Sequence, residues 1–163
     1  MIALAKRVQK RQRASGFQID QLDVSNCVMN MISPQMYRDF IFPYDQKIAE
    51  QFEYFGVHTC NWNINPYLSA LSELPKVGYL DMGLVSDMHK ARETFAGTRH
   101  AVMYSPVKFQ DTTLDEIEKD MRQIRKELSP CDIVMADIQW TTPDARVNEL
   151  LQICRVLENG TLK

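Results

Sequence analysis

Apolar positions along this chain follow two alternating patterns, short continuous runs and longer stretches in which apolar residues recur three or four places apart. The runs from Leu22 to Val28, Val57 to Trp62, Val77 to Met82, His100 to Ser105 and Ile133 to Ile138 read as strands. The stretches between them read as helices with marked boundaries. Ser33-Pro34 opens the first, Pro43 breaks or kinks it, and Ile48, Phe52 and Phe55 form an apolar stripe that Gly56 ends. Asn65 with Pro66 reads as a cap and first helical residue, and Ser86 caps a short helix that stops near Gly97. Thr113-Leu114-Asp115-Glu116 is a capping box ahead of an apolar face of Leu114, Ile117, Met121, Ile124 and Leu128. Thr142-Pro143 opens the last helix, whose face of Val147, Leu150, Leu151, Cys154 and Leu157 ends at Gly160.

Strands alternating with helices predict an α/β fold with a parallel sheet. No Gly-x-Gly-x-x-Gly and no phosphate loop follows any strand, so the nucleotide-binding open sheets find no support. A closed TIM (β/α)8 barrel takes about 250 residues. The five units here, in a chain of 163 residues, match the C-terminal portion of such a barrel as one single domain, 1–163. Open on one side, that portion would expose unpaired strand edges and apolar lumen-facing side chains. The chain alone is therefore expected to be aggregated, oligomeric or poorly folded, and to need an N-terminal half-barrel chain or a homo-oligomer for completion.

Composition narrows the function classes. The formal net charge of −2 gives no electrostatic case for nucleic acid or an anionic membrane. No apolar run approaches the length of about 18 residues that a membrane span needs, and the N-terminus lacks the apolar centre of a signal peptide. Lys6, Arg7, Lys10, Arg11 and Arg13 give the first helix a basic, solvated face. Cys27, Cys60, Cys131 and Cys154 are widely spaced with no C-x-x-C pair, which argues against a disulfide framework and for a reducing cytoplasmic location.

His58-Thr59-Cys60 carries the chemistry. Residues two apart on a strand face the same way, about 6.5–7 Å apart, so an imidazole and a thiol at a strand's C-terminal end can share one metal ion or one substrate. A catalytic zinc takes three protein ligands, so this pair is an incomplete site.

The segment Ile32 to Phe40 with Pro43-Tyr44, then His58-Thr59-Cys60, Val77 to Met82, and Thr142-Pro143 with its helix, resembles the uroporphyrinogen decarboxylase superfamily. The His-x-Cys pair is most similar to its branch of zinc-dependent, corrinoid-linked methyltransferases, which includes the methylcobamide:coenzyme M enzymes. The resemblance implies a TIM barrel in which zinc binds a thiol substrate, and a methylcorrinoid on a partner corrinoid protein donates the methyl group to this small-molecule acceptor. His58 and Cys60 match the first two family ligands. The third family ligand, a cysteine shortly before the Thr-Pro of the last helix, has no match; Asp137 falls nearest, and Cys131 competes. Asp137 is favoured because Cys131 precedes its strand and belongs at the barrel's N-terminal face, whereas catalytic residues belong at the C-terminal face.

Other strand-end residues take smaller roles. Asp81 is a candidate to orient His58 or to touch substrate, with loop capping as the alternative, and Tyr104 is a candidate substrate contact or an aromatic filling the barrel mouth. Asp23, Ser25 and Asn26 fall on the first strand, and Cys27 reads most simply as core. His89 and His100 read as surface or packing residues, while Trp62 and Trp140 either wall an apolar substrate or pack in loops. Two alternatives to methyl transfer stand beside it: a metal-free decarboxylase of the superfamily's namesake type, for which the arginine and aspartate set is missing, and a non-catalytic or incomplete barrel.

Overall fold

The computed structural model describes residues 1–160. It is an α/β fold: strands β1 (Gln21–Ser25), β2 (Tyr54–His58), β3 (Val77–Gly83), β4 (Arg99–Met103) and β5 (Cys131–Val134) form one sheet in sequential order, every neighbouring pair parallel. Helices α1 (Ile2–Ala14), α2 (Pro34–Phe40), α3 (Phe42–Ala49), α4 (Leu68–Leu71), α5 (Met88–Thr94), α6 (Pro106–Asp111), α7 (Leu114–Leu128) and α8 (Asp144–Glu158) precede and connect the strands. Parallel neighbours in sequential order need crossover connections, which as a rule are right-handed and so place the connecting helices on one face. None of the described helices is long and apolar enough to cross a membrane.

The caps explain several boundaries. The Ser33 hydroxyl accepts the Met36 N–H with Pro34 at the first helical position, and Thr113 and Glu116 make the reciprocal capping box that starts α7. Pro43 lies at the start of α3, where the expected break separates α2 from α3. Other boundaries differ from the sequence expectation. The stripe Ile48, Phe52, Phe55 is not one helix: α3 ends at Ala49, and Phe55 and Gly56 lie inside β2. Gly56 is therefore a strand residue, placed where the Asp23 side chain leans across the sheet over it. Asp87, not Ser86, caps α5 by accepting the Lys90 N–H, and Asn65 belongs to a 3-10 turn and accepts the Asp87 N–H instead.

One sheet face carries Leu22, Val24, Phe55, Val57, Leu80, Met82, Val102 and Ile133, packed with the inward stripe of α7, Ile117, Met121, Ile124 and Leu128. The opposite face differs from the expected apolar lumen. It carries Asp23, Ser25, Tyr54, His58, Tyr79, Asp81, Arg99 and Asp132, with Arg99 and Asp132 in a two-bond ion pair (Nε to Oδ2 2.5 Å, the other arm 3.0 Å). Strict alternation along each strand separates the two sets; Ala101, Met103 and Val134 share the second face, and Asp81 on it is buried.

Candidate metal centre

The register Ser25↔His58 sets the site, because it aligns the C-terminal ends of β1 and β2. Two residues beyond each paired position stands a cysteine, Cys27 after Ser25 and Cys60 after His58. Cys27 is thus not core, as the sequence suggested: β1 ends at Ser25, and Cys27 opens a 3-10 turn, half-buried, with its Sγ 2.6 Å from Cys60 Sγ and 3.2 Å from Ser25 Oγ. Cys60 Sγ lies 3.2 Å from His58 Nε2. The ligand atoms of Cys27, His58 and Cys60 all lie within 4.8 Å of one another, the one such cluster of three or more metal-binding side chains among the described residues.

His58 and Cys60 meet for a reason other than strand alternation. The strand stops at His58, and Cys60 adopts a left-handed backbone (φ 61°), which turns its thiol back over the imidazole. A left-handed conformation costs a residue with a β-carbon about 1–3 kcal/mol and persists where surrounding structure imposes it. Only Cys60, Lys76 and Asp137 show it among the described non-glycine residues, so two of the three belong to the sequence-predicted metal set.

Asp81 fixes the imidazole. Its carboxylate is almost wholly buried in β3; Oδ2 lies 2.5 Å from His58 Nδ1 and Oδ1 accepts the Thr59 N–H at 2.6 Å. The Tyr79 hydroxyl donates to the same Oδ2 at 3.2 Å, and the Thr59 hydroxyl donates to the Asp81 carbonyl at 2.8 Å. With Nδ1–H given to the carboxylate, Nε2 keeps its lone pair on the side facing the two thiols. That is the carboxylate–histidine arrangement that orients metal-ligating imidazoles.

Cys27 is held from the other side. The Asn26 N–H donates to the His58 carbonyl at 2.8 Å, and the Asn26 side-chain amide donates to buried Asp45 at 2.6 Å, which also accepts from Tyr37 at 2.9 Å. Burial pushes the Asp45 carboxyl above its ordinary value against those two hydrogen bonds. Beyond the turn, the Tyr67 hydroxyl sits between the Met29 and Ile32 carbonyls (2.5 and 2.6 Å).

Electrostatics keep the Cys60 thiol protonated when no cation is bound. The Cys60 thiol is pushed up to about 12, first by desolvation, then by its contact with Cys27 and by the charges of Asp81 and Asp137. A cation reverses that preference, since the surroundings that oppose a second negative charge favour a positive one. Tetrahedral zinc with sulfur ligands at about 2.3 Å and nitrogen at about 2.0 Å spaces sulfur atoms about 3.8 Å apart, and sulfur from nitrogen about 3.5 Å. The donor types fit, the Sγ–Nε2 distance is close, and the two sulfurs would have to separate by about 1 Å.

The remaining predicted residues are placed as follows. Asp137 is exposed, outside the converging cluster, yet its carboxylate acts on the Cys60 thiol. Cys131 opens β5 at the opposite end of the parallel sheet, where it lines a cavity with Arg99 and His100. Tyr104 is buried, as an aromatic packed at the sheet end would be: its hydroxyl donates to Asp120 of α7 at 2.6 Å, and Lys108 pairs with the same carboxylate at 2.5 Å. His89 is exposed and His100 buried, as surface and packing residues. Around the cluster's end of the sheet, the segments after all five strands expose apolar side chains, Met31, Trp62, Val85, Val107 and Trp140 among them.

Gly83 ties this site to the fold. A β-carbon there would lie 2.0 Å from the Asn61 carbonyl oxygen and 2.9 Å from the Trp62 amide nitrogen, both backbone atoms of the segment directly after Cys60. Gly83→Ala is expected to lower stability by about 1–3 kcal/mol or more and to weaken zinc binding by displacing Cys60. Gly56→Ala should be milder, because the atoms it meets belong to the exposed Asp23 side chain, which can swing aside. Thermal melts and zinc titrations of both variants check the contrast; equal behaviour would refute it.

No protein-family model matches the chain, and no curated protein of similar sequence was found. Among solved structures it is similar to a methyltransferase from Methanosarcina mazei, with a TM-score of 0.65 and 19% identity over 85% of this chain and 42% of that one. The likeness is one of fold. This chain spans less than half the length of that protein.

Proposed function

We propose that this chain forms the metal-bearing, C-terminal part of a TIM (β/α)8 barrel that transfers a methyl group to a thiol, as a single domain. The observation that carries the reading is the convergence of Cys27, His58 and Cys60 at the C-terminal end of a parallel sheet. The fold shared with a methyltransferase supports it, as does the sequential parallel strand order that a barrel requires.

In this reading Cys27, His58 and Cys60 hold zinc, and Asp137 stands nearby to complete or to bias the ligand set. Zinc, when bound, supplies a Lewis acid that lowers the pKa of a substrate thiol so that it reacts as the thiolate. The chain's own residues do the rest. Asp81 keeps the proton on His58 Nδ1 and, with Thr59 and Tyr79, fixes the ring's orientation. Asn26 and Asp45 hold the turn that carries Cys27. The exposed apolar rim offers a surface for a partner that presents a methylated corrinoid. The metal-free decarboxylase alternative leaves the two thiols and the oriented imidazole without a task. Free thiols suit a reducing compartment such as the cytoplasm.

The test uses methylcobalamin as donor and a panel of small thiols as acceptors, with tetrahydrofolate included. Zinc-dependent demethylation, followed by the change in corrinoid absorption and lost in Cys60→Ala, is the expected result. Decarboxylation of a tetrapyrrole with no zinc requirement would replace this reading.

A further inference from the structure

The same two sulfurs have a second chemistry. We propose that Cys27 and Cys60 are an oxidation site: in the metal-free protein they close into a reversible intramolecular disulfide, which withdraws both sulfur donors and switches the metal centre off. The disulfide goes beyond the methyl-transfer reading, and only its competition with metal rests on that reading.

The geometry carries it. The Sγ atoms stand 2.6 Å apart although 33 positions separate the residues in sequence, and a disulfide bond of about 2.05 Å lies a short movement away. Both cysteines lie just beyond strand ends, in a turn and a left-handed loop residue rather than inside the sheet, so small sulfur displacements leave the strand ladder intact. The backbone bond from Asn26 N–H to the His58 carbonyl holds the two segments side by side, so no loop has to be closed. Both side chains are half-buried, accessible to a small oxidant, and the Ser25 hydroxyl beside Cys27 Sγ can donate to a developing thiolate. Cys131 and Cys154, packed against the apolar core, serve as internal controls.

The oxidant is a low-molecular-weight disulfide, RSSR. One cysteine sulfur loses its proton and attacks RSSR, releasing one RSH and leaving a mixed disulfide. The second cysteine sulfur then displaces the remaining RS group, which leaves as RSH with the second proton. The net change is two cysteine thiols and RSSR giving one protein disulfide and two RSH, the two electrons passing from the cysteines to the reagent. A dithiol reductant reverses it.

The experiment treats the chain, stripped of metal with a chelator, with oxidised glutathione, then counts free thiols and maps peptides by mass spectrometry. Free thiols are expected to fall from four to two, with the Cys27 and Cys60 peptides joined, zinc uptake lost, and both effects reversed by reductant. Cys27→Ser should instead trap a glutathione mixed disulfide on Cys60, and circular dichroism confirms that the variant is folded. Four remaining thiols in the wild type, or a cross-link joining Cys27 or Cys60 to Cys131 or Cys154, overturns the proposal. A Cys27–Cys60 cross-link that forms equally fast with zinc present supports the disulfide while removing the metal reading, so the two failures are distinguishable.

Discussion

Alanine at Cys60 is expected to abolish stoichiometric zinc binding, and His58→Ala and Cys27→Ala to weaken it by more than about 100-fold, beyond what loss of an orienting neighbour costs. Each substitution removes one of three donors whose atoms converge within 4.8 Å, and zinc held by two side chains has no stable protein site. Uptake by the wild type should release protons, since the Cys60 thiol, protonated in the metal-free state, must ionise to bind. Metal analysis after dialysis, with cobalt absorption to report sulfur ligation, makes the measurement. Full metal content in all three variants would end the reading of this cluster as a metal centre.

The ranking among neighbours carries as much information as the ligands. Asp137→Ala tests whether that carboxylate binds the ion or only biases Cys60; a loss equal to that of Cys27→Ala would assign it as a ligand. Asp81→Asn should reduce affinity by about 10–100-fold, because its amide can donate to His58 Nδ1, which moves the ring proton to Nε2 and blocks the ligating lone pair. Cys131→Ala, at the other end of the sheet, should leave metal content unchanged.

The βα repeat was legible in the sequence because each strand falls in a short segment rich in apolar residues and because Ser33, Thr113 and Glu116 announce helix starts by local hydrogen bonding. Local signals failed where a long-range contact decided the outcome. Phe52 and Phe55 continue a helical period from Ile48, yet the pairing of Phe55 with Leu22 makes the segment a strand. Two of the three converging residues of the candidate metal centre were visible in His58-Thr59-Cys60. Cys27 was not, because its role depends on the register of β1 on β2, which no local pattern encodes. A signal did exist: Ser25-Asn26-Cys27 and His58-Thr59-Cys60 are both polar-x-Cys units at strand ends, and adjacent parallel strands bring such units together. The oxidisable pair follows from the same register.

Alone in solution, this chain is expected to self-associate, and the reason lies in the sheet edges. Among the described residues, strand β1 pairs only with β2, and β5 only with β4, so each presents an outer row of backbone donors and acceptors. Helix α1 engages one of them, the Gln21 carbonyl, through Gln9. In the proposed barrel, five parallel strands would leave the sheet unclosed, and an open parallel edge is a template for another strand. The polar face opposite the helices changes the expected form of that association. With Asp23, Tyr54, Arg99 and Asp132 solvated there, this face adds little apolar drive, and edges of four and five residues are too short to favour extended growth. Small, discrete oligomers should therefore form in preference to amorphous aggregate, and supply of further barrel strands, in the same chain or a separate one, should convert them to a compact species with a higher melting temperature. Sedimentation velocity over a range of concentrations, combined with thermal melting, reads the outcome. A monodisperse monomer with a sharp cooperative melt would show that these five units are self-sufficient and that the barrel reading is wrong.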